Sequence, residues 1–303
     1  MNKTALFLIA ALILVAIYAF KFDQALTPEQ WLLLRGVSLL MLAIAAACFT
    51  VGEFTGNLSQ VDKIWSITPP VFAWYLTVQG GMDERMVLMS ALATVWGVRL
   101  TYNFSRHGAY QWKFWGGAED YRWAHVRSKP ELQGRLKMTL FNLFFISLYQ
   151  NALLLLITLP ILLAHGAKNP LGWIDYAMAA VFLGLVTYEA VADQQQRVFQ
   201  NEKHRRTRTG EKLDGRYARG FISSGLWSLS RHPNYLAEQS IWAVFFLFSI
   251  AATGRFNWSA AGCLLLILLF QGSSNLAESI SSGKYPEYQD YQKRVPRFIP
   301  RLF

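Results

Sequence analysis

Cysteine is scarce in this sequence. Cys48 and Cys263 are the two cysteines among 303 residues, and each lies in an apolar stretch with no partner at metal-ligand spacing. This scarcity excludes a disulfide framework, and it predicts no zinc or other metal site. Internal repeats and low-complexity tracts are also absent, and no boundary of a soluble domain is visible.

Charged residues are few as well. They make up 16% of the chain, against 53% hydrophobic and 15% aromatic residues. A soluble domain of this length does not normally bury so much apolar surface, so the excess indicates contact with lipid. The net charge of +10 would suit a nucleic-acid-binding protein, but Lys and Arg are concentrated in a few loops between apolar segments. That pattern is the positive-inside bias of membrane proteins, so we expect membrane lipid and no nucleic acid as a partner.

Apolar runs that approach the roughly 20 residues of a transmembrane helix recur along the chain. They predict an all-α, polytopic transmembrane helical bundle of seven to eight helices. The first run, over residues 4–20, is expected to be a retained helix, because no cleavage pattern follows it. The third run contains Pro69 and Pro70, which should kink it. The runs begin near Thr4, Trp31, Ile64, Met86, Thr139, Leu171, Leu236 and Trp258.

Two loops, over residues 106–137 and 197–231, are rich in Lys and Arg. The positive-inside rule places both in the cytoplasm. Counting helices from these loops puts the N-terminus, the loop at residues 52–62 and the tail after residue 275 on the same side. The polar loops of the site are therefore expected on the cytoplasmic face of a membrane, the inner membrane if the chain is bacterial.

The end of the sixth predicted helix carries ionisable residues on one face. Glu189, Asp193 and Arg197 recur every four residues, which aligns them along the helix. Such residues near membrane depth require a cavity or a partner. An internal ion pair between Asp193 and Arg197 is the structural alternative to a ligand site.

A second polar stretch surrounds the start of the seventh helix. Arg231 and His232 precede Pro233, which suits a first helical turn, and Asn234 and Glu238 follow one turn apart. A helix start beside cationic side chains favours an anion. The simpler interpretation is that Arg231 and His232 only reach lipid headgroups.

The tail is the third polar stretch. It contains Glu278 and the aromatic and basic run at residues 285–300, which alone could be an interfacial anchor. The three stretches together predict a pocket for a large, charged, partly aromatic ligand. A nucleotide has these properties.

The runs SRHPNYLAE and YPEYQDYQKRVPRFIP, with GLW before the first, resemble the steroid 5-alpha-reductase family in its bacterial membrane branch. The likeness covers about the last third of the chain and the sixth helix. It implies a non-Rossmann NADPH site in helices of residues 139–303 and an apolar steroid pocket enclosed by residues 1–138. The chain also lacks a Gly-x-Gly-x-x-Gly turn between strand and helix.

The resemblance implies roles for individual residues of the cofactor site. Asp193 matches the acid of the family's DxxxR helix, and Asn234 and Glu238 match its NxxxE helix. Preference for NADPH over NADH would come from basic residues that meet the 2′-phosphate, with Arg197, Arg205, Arg206 and Arg231 as candidates. The full expected cofactor-binding set is Asp193, Arg197, Arg231, His232, Asn234, Tyr235, Glu238, Glu278, Tyr288 and Tyr291.

The family's substrate carbonyl is polarised by a carboxylate and a Tyr on early helices. In the run NLSQVDKIWSITPP the acid is Asp62, with Glu53 on the approach. In WGVRLTYNFSR the available phenol is Tyr102, and a different register would put Trp96 in its place. Asp62 and Tyr102 are therefore the expected catalytic pair. The patterns NxSQVDxxWS and EDYRW are typical of the bacterial branch, and the loop of the second is expected over the nucleotide.

These expectations give an NADPH-dependent reductase of the C=C bond of a 3-oxo-Δ4 steroid-like enone, with no obligate protein partner. An S-adenosylmethionine-dependent membrane methyltransferase is the alternative, because isoprenylcysteine carboxyl methyltransferases share RHPxY, an acidic helix and a VPxxIP tail. A lipid-binding protein without enzymatic activity is a third possibility.

Overall fold

The computed structural model describes residues 23–300 except 107, 114 and 168, together with residues 6, 7, 10, 11, 13, 14, 17 and 18. The predicted first helix at residues 4–20 falls mainly on residues outside this described part. The described chain is helical and contains no strand. The all-α prediction is therefore confirmed for these residues.

The first half of the described chain contains both long and short helices. Thr27 caps the first of them, because its Oγ accepts from Gln30 N at 3.1 Å and its own N–H donates to Gln30 Oε1 at 3.1 Å. The elements are α1 (Pro28–Thr55), α2 (Gln60–Ile64), α3 (Thr68–Gln79), α4 (Glu84–Ser105), α5 (Tyr121–Arg127), a 3-10 turn (Pro130–Leu132), α6 (Arg135–Phe141), a π-helical stretch (Asn142–Tyr149), α7 (Gln150–Thr158) and α8 (Pro160–Ala164).

The second half contains three long helices joined by short ones. Its elements are α9 (Trp173–Thr209), α10 (Gly215–Ala218), a 3-10 turn (Gly225–Ser228), α11 (Pro233–Thr253), α12 (Ala260–Lys284) and α13 (Tyr288–Arg294).

In the described part, five helices are long and apolar enough to cross a membrane. They are Pro28–Thr55, Arg135–Ala164, Trp173–Thr209, Pro233–Thr253 and Ala260–Lys284. These correspond to five of the eight predicted runs, and they make the chain a multi-pass membrane protein by length and composition.

Two other predicted runs form helices of a different kind. α3 has 12 residues, or about 18 Å, which is too short for a hydrocarbon core of about 30 Å. The expected kink at Pro69 and Pro70 is wrong, because both prolines lie in the first turn of α3, after a break from α2. α4 has the length, but its polar and charged residues lower its hydropathy.

The described residues group into two compact units. Unit 1 comprises Met1–Ala180 and Trp242–Leu266, and unit 2 comprises Val181–Ile241 and Ile267–Phe303. Because α9, α11 and α12 each give residues to both units, the grouping is not a single cut after residue 138. The division into a lipid-pocket half and a cofactor half stays a prediction about function.

A buried ion pair joins two helix starts within unit 1. Arg85 of α4 donates to Asp175 of α9 from Nε at 2.8 Å and from a terminal nitrogen at 3.0 Å. Its guanidinium also donates to the carbonyl oxygens of Asn169 and Pro170, both at 2.8 Å. Since both charged side chains are almost fully buried, this bidentate pairing compensates their desolvation.

Removal of one partner should expose this dependence. Asp175→Ala leaves the Arg85 guanidinium buried without a countercharge, and we expect a loss of roughly 3–5 kcal/mol of stability, measured by thermal unfolding in detergent. Asp290→Ala is the matched control, because its ion pair with Lys293 is exposed on both sides and should contribute less than about 1 kcal/mol. Equal losses in the two variants would contradict this assignment.

Candidate functional site

In unit 2, two residues predicted from separate motifs meet. Asn234, at the start of α11, donates from Nδ2 to Asp193 Oδ1 of α9 at 3.2 Å. Glu238 lies one turn further along α11 and is buried, while Arg197 lies one turn beyond Asp193 on α9 and is half-buried. The DxxxR and NxxxE patterns therefore form one polar cluster, which we call the amide–acid cluster (Asp193, Arg197, Asn234 and Glu238).

The predicted basic residues differ in their partners. Arg205 pairs with Glu202 and Glu211, and Arg206 pairs with Glu202 and Asp214. Arg197 has no hydrogen bond or ion pair to any residue that the structure describes. Among the four residues expected to bind a 2′-phosphate, Arg205, Arg206 and Arg231 form ion pairs. Arg197 forms none with a described residue.

The Glu278 carboxylate is the centre of a second arrangement in unit 2. It is 4% exposed and accepts from Arg231 Nε at 2.8 Å, from His232 Nε2 at 2.9 Å and from Gln292 Nε2 at 2.8 Å. Arg297 adds a contact at 3.5 Å. A carboxylate that accepts from guanidinium, imidazole and amide donors is well compensated for its burial.

The same residues fasten the tail to the RHP motif. The Arg231 guanidinium donates to the carbonyl oxygens of Gln292 at 2.9 Å and Val295 at 2.6 Å. The backbone N–H groups of Arg231 and His232 donate to Pro296 O at 2.9 Å and Arg297 O at 3.1 Å. RHP and VPRFIP are therefore two parts of one structure, and most of the donors of Arg231 are used within it.

The aromatic residues of the expected site also pack internally. The Tyr235 ring stacks on His232 at 5.2 Å between centroids. Tyr288 and Tyr291 are buried against Phe221, at 5.0 Å and 5.3 Å, and Tyr291 donates its hydroxyl hydrogen to the carbonyl oxygen of Trp227.

Burial keeps both phenols of this aromatic group protonated. It raises the pKa of Tyr288 to about 12 and raises the pKa of Tyr291 further. These two tyrosines therefore stabilise unit 2 as core residues, and a direct role at the cofactor stays a prediction.

In unit 1, Asp62 belongs to a different polar group. Trp123 Nε1 donates to Asp62 Oδ2 at 2.8 Å, and a terminal nitrogen of Arg122 lies 4.0 Å from Asp62 Oδ1. Burial raises the pKa of Asp62, and the Arg122 charge and the Trp123 hydrogen bond oppose that rise. The SQVD and EDYRW patterns thus contact each other directly.

Further hydrogen bonds join the same two segments, residues 56–63 and 110–127, which we call the clasp. Asp120 N donates to Ser59 Oγ at 3.0 Å, and Leu58 N donates to Glu119 Oε1 at 2.7 Å. Arg127 binds Glu119 and also donates to Gly56 O at 2.8 Å. The loop expected over the nucleotide is therefore fastened to α2 within unit 1.

No hydrogen bond joins the predicted catalytic residues Asp62 and Tyr102, and their pairing stays a prediction. Tyr102 is 63% exposed and lies under the Arg106 guanidinium, 4.8 Å from the ring centroid, while the Asp62 carboxylate accepts from Trp123. The alternatives lie elsewhere too. Trp96 is fully buried and packs edge-on against Trp242, and Glu53 accepts from Thr139 and Asn142, both at 2.8 Å.

Tyr110 is a phenol that sequence reasoning missed. Its hydroxyl donates to Lys63 O at 2.6 Å and has Ser66 and Thr101 beside it. Burial raises its pKa. Lys63 follows Asp62 in α2. The hydroxyl of Tyr110 therefore contacts the helix that carries the predicted catalytic acid.

The Asp62 to Trp123 bond gives a direct test of the clasp. Trp123→Phe removes the indole donor, which should weaken the loop by about 1–3 kcal/mol because a buried acceptor loses its partner. We expect faster hydrogen–deuterium exchange across residues 110–120. Trp173→Phe, at an exposed indole, is the control and should leave that exchange unchanged. Unaltered exchange in Trp123→Phe would show that other contacts suffice.

Most of the chain matches a known protein family. The family described as "Protein of unknown function (DUF1295)" matches residues 48–295. An uncharacterized protein of Schizosaccharomyces pombe is 37% identical over 278 residues, which cover 87% of this chain and 78% of that protein. This multi-pass membrane protein therefore belongs to the DUF1295 family.

A second relative matches over a shorter region. The nickel-cobalt-cadmium resistance protein NccN of Alcaligenes xylosoxydans xylosoxydans is 28% identical over 90 residues, or 30% of this chain and 40% of that protein. No solved structure matches the chain.

Proposed function

We propose that this protein is an NADPH-dependent membrane reductase that reduces the C=C bond of a 3-oxo-Δ4 steroid-like enone. The observation that carries the proposal is the 3.2 Å hydrogen bond between Asn234 and Asp193. It joins the two patterns that resemble the cofactor helices of the steroid 5-alpha-reductase family. Arg197, which has no hydrogen bond or ion pair to a described residue, lies one turn away on α9.

The donor set of the amide–acid cluster suits a dinucleotide. Asn234 offers an amide, while Asp193 and Glu238 offer carboxylate oxygens, and these groups can bind the carboxamide and ribose hydroxyls of NADPH. Arg197 offers a guanidinium for the 2′-phosphate. NADPH supplies the hydride when it is bound.

The chemical step requires a proton donor for the enone. Hydride addition at the β-carbon places charge on the carbonyl oxygen, and protonation at the α-carbon then completes the reduction. Asp62 suits the polarising role, because burial favours its protonated form. Tyr102 is the phenol that the resemblance implies. Tyr110 lies beside α2 but donates its one hydroxyl hydrogen to Lys63 O, so it would have to release that bond to serve an enone.

The side of the membrane belongs to the same proposal. The basic loops at residues 106–137 and 197–231 support a cytoplasmic orientation of both loops, on the side where NADPH is available. The substrate would come from the membrane lipid.

A methyltransferase that binds S-adenosylmethionine is the second candidate. The joined RHP and VPRFIP segments support it, because both motifs also occur in the isoprenylcysteine carboxyl methyltransferases. That junction does not discriminate between the two activities. The identity of the bound cofactor, NADPH or S-adenosylmethionine, does.

Arg197 gives the sharpest test of the cofactor. Arg197→Gln removes one charged contact to the 2′-phosphate, so we expect the affinity for NADPH to fall by about tenfold or more while the affinity for NADH is unchanged. Affinities are measured by thermal shift of the purified protein in detergent. Arg205→Gln is the matched control, because Arg205 is already paired with Glu202 and Glu211.

Asn234→Ala and Glu238→Ala should weaken the binding of both NADPH and NADH, since neither residue is assigned to the 2′-phosphate.

Other outcomes of the thermal-shift measurement would count against the proposal. A larger thermal shift with S-adenosylmethionine than with NADPH would favour the methyltransferase. If NADPH binds but is not oxidised in the presence of a 3-oxo-Δ4 steroid, the assignment of the cofactor stands and the assignment of that substrate is rejected.

A further inference from the structure

The loop before the EDYRW motif carries two exposed indoles. Trp112 is fully exposed and Trp115 is 54% exposed. Gln111 and Lys113 are exposed between and beside them. Neither indole N–H donates to any described residue. These two exposed Trp side chains, three positions apart, and Lys113 combine apolar rings with a positive charge. We call Trp112, Lys113 and Trp115 the Trp loop.

The base of the Trp loop is fixed. Gln60 Nε2 donates to Trp115 O at 3.2 Å, and Lys63 Nζ donates to Gly116 O. On the other side, Tyr110 donates to Lys63 O at 2.6 Å. The indoles are therefore held outward by contacts on both sides of the loop.

The depth of the Trp loop follows from α1. This helix has 28 residues, or about 42 Å, and therefore exceeds a hydrocarbon core of about 30 Å. Its last residue is Thr55, and Asn57, two positions further on, donates to Gly117 O at 3.3 Å. The loop base thus contacts the end of a helix that is long and apolar enough to cross a membrane, and the ends of such helices lie in the headgroup layer.

We propose that Trp112, Lys113 and Trp115 bind the headgroup region of a bilayer that contains anionic lipid. Indole rings suit this layer because the ring is apolar and the N–H can donate to water or to a headgroup. The Lys113 ammonium can reach a lipid phosphate while its stem lies along apolar surface. The contact would anchor the clasp, and with it α2, at the membrane surface.

Lipid quenching of fluorescence tests this contact. The protein is placed in nanodiscs, with or without phospholipids brominated near the headgroup end of their chains, and compared with Trp112→Phe. The chain has eleven Trp residues. The emission of Trp112 is therefore obtained by subtracting the spectrum of the variant from that of the parent protein. We expect that signal to be strongly reduced by brominated lipid and protected from iodide in the water. Trp227→Phe, at a buried indole that donates to Ala192 O, should show neither effect.

The opposite result would overturn the proposal. A Trp112 signal that iodide quenches and brominated lipid does not would place the loop in water, as expected of a surface for a soluble protein partner. Both outcomes are independent of NADPH, so they do not depend on the proposed reductase activity.

Lys113→Glu tests the choice of anionic headgroups. The charge reversal should reduce brominated-lipid quenching of Trp112 in anionic nanodiscs and leave it unchanged in zwitterionic ones. Equal quenching before and after the substitution in both lipids would contradict the assignment of Lys113 to a lipid phosphate.

Discussion

Charge in an apolar surrounding must be paired, and this requirement shapes both units of the protein. Lipid offers no hydrogen-bond partner, so an uncompensated ion on a long helix is costly. Arg85 and Asp175 meet the requirement with a bidentate pair and two backbone carbonyls. Glu278 meets it with the guanidinium of Arg231 and the ring of His232. Each of these pairs joins segments that are distant in sequence, so the pairing also fixes the fold.

The recognisable motifs therefore have a structural role that precedes any role in binding. RHP binds the VPRFIP tail through Arg231, and SQVD binds EDYRW through Asp62 and Trp123. A residue whose donors are all used in such a contact has little capacity left for a ligand. The amide–acid cluster differs in one residue, because Arg197 has no hydrogen bond or ion pair to any described residue, whereas Asn234 donates to Asp193 and accepts from Tyr235 N.

The sequence predicted helices better than it predicted contacts. Apolar runs located the five long helices, and i, i+4 spacing correctly grouped Asp193 with Arg197 and Asn234 with Glu238. It could not show that Asp62 and Trp123 are partners, since 61 positions separate them. It also favoured Tyr102, because that phenol lies within a helical run, although the end of α4 leaves its ring exposed.

Some of the missed pairing was visible in the sequence. Glu202 lies three and four positions before Arg205 and Arg206, a spacing that predicts ion pairs on one helix face. That spacing favours Arg197 over these two arginines as a phosphate ligand. The missed start of α3 has a similar origin, because adjacent prolines suit a first helical turn as well as they break a helix interior.

Arg197 connects the requirement for charge pairing with the proposed function. A half-buried guanidinium with no partner among the described residues loses hydration and gains no compensating contact. Under the proposed function, the 2′-phosphate of NADPH provides that contact. Arg197 belongs to the amide–acid cluster, which also contains the carboxylates of Asp193 and Glu238 and the amide of Asn234. Those neighbouring carboxylates disfavour a simple inorganic anion at close range. They suit a ligand that separates its negative charge from its hydroxyl and amide groups, as a phosphorylated nucleotide does.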